Sequence, residues 1–157
     1  MNKRKLIIGI GIIALTLLYI WSNSLPSMEQ SNRQSGKVLK IIEVVFNTPP
    51  LDTEENQHII RKTAHMMEFS LLGLEMVVLL LITGAMRLRS IAIILVAGLA
   101  VAAMDETIQI FTHRGSQVSD VVLDFMGVLF GITMGFVIHS LYCRAKGHLQ
   151  KKMASRL

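Results

Sequence analysis

Four long runs of apolar residues constrain the fold of this chain more than any other feature. They cover residues 6–21, 66–86, 90–111 and 121–142. At about 1.5 Å per residue, each run can cross, or nearly cross, a hydrocarbon core about 30 Å thick as a helix. Only 17% of the residues are charged, against about 25% in an average soluble domain. The sequence therefore predicts an all-α membrane protein with four transmembrane helices in a single domain, residues 1–157.

The distribution of basic residues predicts how these helices are oriented. Ten of the sixteen lysines and arginines lie in the N-terminus, in the turn between the second and third helices, and in the tail 143–157. Because short cytoplasmic segments are rich in basic residues, both termini are predicted to be cytoplasmic. The net charge of +5 then reflects membrane topology, and a role in binding nucleic acid is excluded.

The first apolar run is open to two interpretations. Residues 3–5 are basic and precede it, as in a signal peptide, and Ser22-Asn23-Ser24 is a weak cleavage site. Tyr19 and Trp21, at the far end of the run, are instead typical of a helix anchored at the membrane interface. We expect a retained helix.

The long outer loop, residues 22–65, contains two further signals. Its apolar residues between 38 and 46 share one helical face, and polar residues recur every three or four positions on the other. This pattern predicts an amphipathic helix on the outer membrane surface, ended by Pro49-Pro50. Asp52 and Glu55 match a capping box, so that a new helix is predicted to begin there and to run unbroken into the second span.

Acidic residues are unusually frequent in the predicted spans. Six of the eleven lie within or at the edge of a membrane helix: Glu68, Glu75, Asp105, Glu106, Asp120 and Asp124. An acid at a helix centre costs about 2.5–3.5 kcal/mol on insertion scales, so these residues should face partners or a wet cavity. The predicted topology brings five of the six, all except Glu75, to one level in the outer leaflet on three helices, together with His65, Gln109 and Arg114. The sequence therefore predicts a polar cluster there.

Several of these residues also have simpler structural interpretations. His65 could only hydrogen-bond a neighbouring acid or a lipid phosphate, Glu75 could bond an adjacent helix, and Asp120 could be the N-cap of the fourth helix. Asp105 and Glu106 are harder to explain in this way. Adjacent residues of a helix point in different directions, so at least one of the two carboxylates should meet a basic partner.

Small residues predict close helix packing. Gly127, Gly131 and Gly135 recur every four residues on the fourth span, which allows another helix to approach closely. We expect packing within the chain, with a homo-oligomer through the fourth helix as the alternative. No cofactor is predicted. A divalent metal is possible by ligand type, since His65, Glu68, Asp105, Glu106 and Asp124 include suitable residues, but their spacing matches no recognised metal motif.

Three sequence blocks resemble the VanZ-like family of bacterial membrane proteins. Residues 62–73 match K-x-x-H-x-x-E-F-x-x-L-G, residues 105–111 match D-E-x-x-Q-x-F, and residues 120–127 match D-x-x-x-D-x-x-G. Together with the weaker Ser-Leu-Pro piece after the first run, the resemblance covers residues 20–142. Two departures are Asp124, where many members have Asn, and Thr112-His113, where proline-glycine usually precedes the arginine.

The resemblance implies a multi-pass protein of the bacterial cytoplasmic (inner) membrane, forming a single VanZ-like domain. The family's namesake is linked to resistance against teicoplanin, a glycopeptide with an acyl tail that acts at the outer membrane face. No reaction is assigned to the family. The motif positions, together with Lys62, are the ligand-binding candidates: Lys62, His65, Glu68, Asp105, Glu106, Gln109, Arg114, Asp120 and Asp124.

Two functions of different classes fit these residues. In the first, the cluster binds the head group of a membrane lipid, a lipid-linked cell-wall precursor or a lipoglycopeptide antibiotic, with Arg114 and Lys62 or Arg61 pairing a phosphate or carboxylate. In the second, the protein is an enzyme acting on a lipid-phosphate or lipid-linked sugar. His65 would then be the general acid or base, tuned by Glu68, and Glu106 its counterpart.

Overall fold

Helices make up the regular structure of this protein. The structure, a computed structural model, describes residues 3–51, 53–112 and 117–154, with side chains as far as residue 148. Within these ranges there are five helices and no strand: α1 (Lys3–Ser24), α2 (Met28–Phe46), α3 (Glu54–Thr83), α4 (Leu88–Phe111) and α5 (Val118–Ala154). The predicted all-α class is confirmed.

Four of the helices are long and apolar enough to cross a membrane. They are α1, α3, α4 and the part of α5 from Val118 to His148. Large apolar side chains remain exposed on their outer faces, among them Ile7, Val96 and Phe130. Exposed apolar surface on this scale marks a lipid-facing exterior, and the chain is a multi-pass membrane protein.

α2 is longer than the predicted amphipathic helix. Ser27 and Gln30 form a capping box, in which the Ser27 hydroxyl accepts the Gln30 N–H and the Gln30 side chain accepts the Ser27 N–H. Asn47 ends the helix in the left-handed conformation, with φ of 49°. Val44 and Phe46, near that end, are 82% and 71% exposed. An apolar surface is thus left uncovered, and its position on the outer membrane surface stays a prediction.

α3 runs without a break from the loop into the membrane, but its first residue differs from the prediction. The N-cap is Thr53, whose hydroxyl accepts the Asn56 N–H at 3.2 Å. A threonine hydroxyl, like an aspartate carboxylate, can accept a free N–H group of the first turn. The predicted cap at Asp52 is therefore wrong by one residue, and Asp52 itself lies outside the described residues.

The far end of α3 also differs from the prediction. The helix ends at Thr83 rather than Met86 because Gly84 adopts a left-handed conformation, with φ of 67°. Its N–H donates to the carbonyls of Leu80 and Leu81 and so closes the helix. Glycine reaches this conformation without a steric penalty. α4 follows after a short turn.

α5 is longer than the span predicted over residues 121–142. It begins at Val118 and its backbone stays helical to Ala154, through most of the segment predicted as a tail. Asp120 therefore lies in the first turn of α5 and is not its N-cap. The interpretation of Asp120 as a cap is wrong, and its side chain has another partner, described below.

Glycines bring α3 and α5 into backbone contact. The three glycines of the predicted pattern, and one glycine of α3, lie in this interface: Gly127, Gly131, Gly135 and Gly73. A Cβ atom on Gly131 would overlap the Ser70 carbonyl oxygen, and one on Gly73 would overlap the Val128 carbonyl oxygen. Close approach of this kind is the usual role of small residues between membrane helices. This face of α5 is therefore occupied within the chain.

We predict that Gly131→Ala destabilises the protein while Gly11→Ala does not. The added methyl group at position 131 meets a backbone oxygen that cannot rotate away, and such overpacking costs about 1–3 kcal/mol. Among the described residues, no atom lies within 4 Å of a Cβ placed on Gly11. Denaturant unfolding in detergent micelles measures both variants against the parent. Equal stability of all three proteins would contradict the packing described here.

Candidate functional site

Polar residues from three helices, most of them ionisable, meet at one end of the helical bundle. The end of α4 supplies Asp105, Glu106 and Gln109, which are 0%, 4% and 8% exposed, and the start of α5 supplies Asp124, at 3%. α3 adds His65 and Glu68 at the same level. We call these six residues the polar cluster: His65, Glu68, Asp105, Glu106, Gln109 and Asp124. The sequence-based prediction that they lie together agrees with this arrangement.

Asp105 is held by hydrogen bonds from two helices. Ser24 Oγ, at the end of α1, donates to Asp105 Oδ1 at 2.6 Å. Gln109 Nε2, one turn further along α4, donates to Oδ2 at 2.8 Å. The imidazole Nδ1 of His65 on α3 is 3.9 Å from the same Oδ2 atom. The carboxylate thus has a fixed orientation although it is cut off from solvent.

His65 lies between two carboxylates. Its Nδ1 atom is 4.0 Å from Glu68 Oε2, one helical turn away, and 3.9 Å from Asp105 Oδ2. Glu68 Oε1 also accepts a hydrogen bond from Asn23 Nδ2 at 2.7 Å. A protonated imidazole in this position would interact favourably with both acids. His65 is therefore the basic partner expected for the Asp105–Glu106 pair, and it lies next to Asp105.

The end of α1 contributes residues that the sequence-based site did not include. Asn23 and Ser24 donate to Glu68 and Asp105, and the Ser24 carbonyl accepts the Thr112 hydroxyl at 3.2 Å. Both are polar residues that close an apolar run, and both belong to the block around Ser-Leu-Pro. That block was the available signal, although it matches the family pattern only weakly.

A cavity of about 200 Å³ opens beside the polar cluster. α3 lines it with basic side chains, and α4 and α5 line it with acidic ones. The basic residues in the lining are His58, Arg61, Lys62 and His65, and the acidic residues are Glu106, Asp120 and Asp124. Small-molecule sites are usually about 300–1,000 Å³, so this space suits a phosphate with a small polar substituent rather than an entire lipid.

Ion pairing and hydrogen bonds orient the basic side of the cavity. Lys62 Nζ is 2.6 Å from Asp120 Oδ1, with the two side chains 31% and 20% exposed. Arg61 Nη1 donates to Asn32 Oδ1 of α2 at 2.7 Å, and Arg61 Nη2 lies 2.8 Å from His58 Nδ1. α2 therefore positions the Arg61 guanidinium, and α5 positions the Lys62 ammonium.

The predicted site residues fall into two groups. Those that line the cavity are Lys62, His65, Glu106, Gln109, Asp120 and Asp124. Glu68 and Asp105 are not among the lining residues, and their carboxylates lie 4.0 and 3.9 Å from His65 Nδ1. Arg114 was also predicted, and it lies outside the described residues. His58 and Gln117 line the cavity but were not predicted, because neither belongs to a matched motif position.

Glu75 lies apart from the polar cluster, deeper along α3. Thr16 Oγ1 of α1 donates to its Oε1 atom at 2.9 Å. The surrounding lining is apolar, with Ile12, Leu79 and Ile82 close by. A hydrogen bond between neighbouring helices is the structural interpretation that the sequence allowed for this residue.

These features define a multi-pass membrane protein whose ionisable residues meet at one end of the bundle. The chain belongs to the VanZ/LLP1 family, whose model matches residues 7–139. The matched range includes the whole polar cluster and every described residue that lines the cavity, and it confirms the VanZ-like resemblance. Comparison with curated proteins and with solved structures gives no match.

We predict that Ser24→Ala destabilises the protein more than Ser22→Ala. Loss of the Ser24 hydroxyl leaves Oδ1 of a fully buried carboxylate without its donor, which costs about 1–3 kcal/mol. The Ser22 hydroxyl is exposed and, within the described part of the chain, donates only to the Tyr19 carbonyl of its own helix. Thermal unfolding in detergent compares the two variants. The same midpoint for both would mean that this contact does not hold α1 to α4.

Proposed function

We propose that this protein binds the anionic head group of a cell-envelope lipid in the cavity beside the polar cluster. The observation that carries the proposal is the charge of the cavity lining, which is basic on α3 and acidic on α4 and α5. Ionisable residues within membrane helices are costly, and they are characteristic of functional sites. A lining that carries both signs of charge favours a polar ligand over an acyl chain.

The arrangement of charge indicates the kind of head group. Arg61 and Lys62 can form charge-assisted hydrogen bonds with phosphate oxygens. Glu106 and Asp124, which line the same cavity from α4 and α5, can accept hydrogen bonds from hydroxyl or amine groups. A head group with both a phosphate and a sugar or amine would satisfy both walls. Envelope lipids, lipid-linked cell-wall precursors and lipoglycopeptide antibiotics all carry polar groups of these kinds.

The membrane context favours the same ligand class. The distribution of basic residues predicts cytoplasmic termini, which would place the cavity at the outer face of the bacterial cytoplasmic membrane. At this level the head groups of the outer leaflet are within reach. The exposed apolar residues of α2, including Val44 and Phe46, would then contact the outer membrane surface.

We predict that Lys62→Gln reduces lipid retention in native mass spectrometry of the gently solubilised protein. Loss of one charge-assisted bond weakens binding by about 1.5–3 kcal/mol, or about tenfold or more. Lys40→Gln is the matched control, because Lys40 is exposed on α2 and does not line this cavity. Glu106→Gln tests the acidic wall and should also lose the lipid.

The same experiment can contradict the proposal in two ways. A parent protein that retains no lipid would show that the cavity has no tightly bound head group. Equal retention by the parent, Lys62→Gln and Glu106→Gln would show that the lipid binds elsewhere, and the charged residues would then serve folding or a protein partner.

Glycopeptide tolerance is a further part of this proposal, supported by the family's link to teicoplanin. Binding could change the supply of a lipid-linked precursor, or it could hold an acyl-tailed drug away from its target. We predict that Lys62→Gln abolishes any teicoplanin tolerance conferred by the parent, whereas Lys40→Gln preserves it. The minimal inhibitory concentration in matched strains measures this. Tolerance that survives in Lys62→Gln would separate the cavity from resistance.

A second candidate function rests on the position of His65. Its Nδ1 atom is 3.9 Å from Asp105 and 4.0 Å from Glu68, and a histidine oriented by carboxylates is a common general acid or base. Glu106 lines the same cavity as His65 and would be its counterpart. Incubation of the purified protein with an envelope lipid extract, followed by lipid mass spectrometry, would reveal turnover. A product formed by the parent but not by His65→Gln would favour this function over binding alone.

A further inference from the structure

Three side chains of the polar cluster are arranged like a set of metal ligands. His65 of α3, Asp105 of α4 and Asp124 of α5 each offer one ligand atom, and these atoms all lie within 4.8 Å of one another. Each residue comes from a different membrane helix, so that helix packing rather than a local sequence motif brings them together. This explains why the spacing in the sequence matches no known metal motif.

Asp124 gives independent support for a bound ligand. It is 3% exposed, it lines the cavity, and within the described residues its carboxylate forms no hydrogen bond and no ion pair. Burial of a carboxylate is costly unless a cation or a donor compensates for it. A cation between Asp124 and Asp105 would provide that compensation for both acids.

The chemistry and geometry of the three groups fit a divalent transition metal. One imidazole nitrogen and two carboxylate oxygens are common zinc ligands, at about 2.0–2.2 Å from the ion and therefore about 3.4 Å from one another. The distance of 3.9 Å from His65 Nδ1 to Asp105 Oδ2 needs only small side-chain rotations to reach this value. Ser24 and Gln109 donate to Asp105, as groups around metal-bound carboxylates usually do.

We propose that His65, Asp105 and Asp124 bind one divalent transition-metal ion, with the remaining coordination position open to the cavity. A site with three protein ligands and one open position accepts an oxygen from water or from a ligand. That the open position takes a phosphate or hydroxyl oxygen of a lipid head group rests on the function proposed above. Metal binding by the three side chains is independent of that proposed function.

The test titrates Zn²⁺ alone into chelator-treated protein by calorimetry. The protein carries no polyhistidine tag, and Cys143→Ser is included in every sample because Cys143 Sγ lies 3.6 Å from His139 Nε2 and could bind zinc on its own. We expect one equivalent of zinc to bind the parent and the affinity to fall at least tenfold in Asp124→Asn. Glu29→Gln is the control, since it also removes one carboxylate charge but Glu29 is exposed on α2 and does not line this cavity, and it should keep the zinc.

Two results would overturn the metal site. One is the absence of saturable zinc binding in the parent, and the other is equal affinity in the parent and Asp124→Asn. If Asp124→Asn does not fold, as judged by size-exclusion chromatography, Co²⁺ is added to the parent instead. A visible absorption band of tetrahedral cobalt that zinc abolishes supports the site, and its absence overturns it.

Lipid retention by the metal-free parent separates this inference from the proposed function. Lipid retained by a protein that binds no zinc leaves head-group binding intact and overturns the metal site. Zinc bound at the three side chains with no lipid retained supports the metal site and overturns head-group binding.

Discussion

A carboxylate buried in an apolar helix bundle needs hydrogen-bond partners. The rest of the site depends on the residues that provide these partners for Asp105. This side chain has no exposed surface. Its donors are Ser24 of α1 and Gln109 of α4, and His65 of α3 faces it. Since each partner must reach the same two oxygen atoms, the ends of three helices are held at one level. Fold and site therefore depend on the same contacts.

The sequence predicts the membrane spans and the polar cluster for the same physical reason. Uncharged runs about 20 residues long are stable in lipid as helices, and acids inserted among them are tolerated only where they have partners. Helical spacing then assigns the acids to faces, and the alternation of the spans assigns them to one end of the bundle. The glycine pattern on α5 was equally informative, because only a residue without a Cβ can approach the Ser70 carbonyl as closely as Gly131 does.

What the sequence could not predict depends on contacts between residues far apart in the chain. Ser24 and Asp105 are separated by 81 positions, and no periodicity relates them. The side-chain partner of Asp120 could not be found for the same reason, since Lys62 lies on another helix. The exact residues at which the helices begin and end were also not predicted. Ser27 and Thr53 both carry hydroxyl groups suited to capping, and only the local backbone selects between such residues and their neighbours.

The backbone contact between α3 and α5 has a mechanical consequence for the cavity that these helices line. Interfaces built on glycine contain few side chains that can change rotamer, so that the two helices cannot slide or separate without losing the contact altogether. They act as one rigid wall. α2, in contrast, reaches the cavity through Met28 and the hydrogen bond between Asn32 and Arg61. A movement of α2 would therefore disrupt fewer contacts than a separation of α3 from α5.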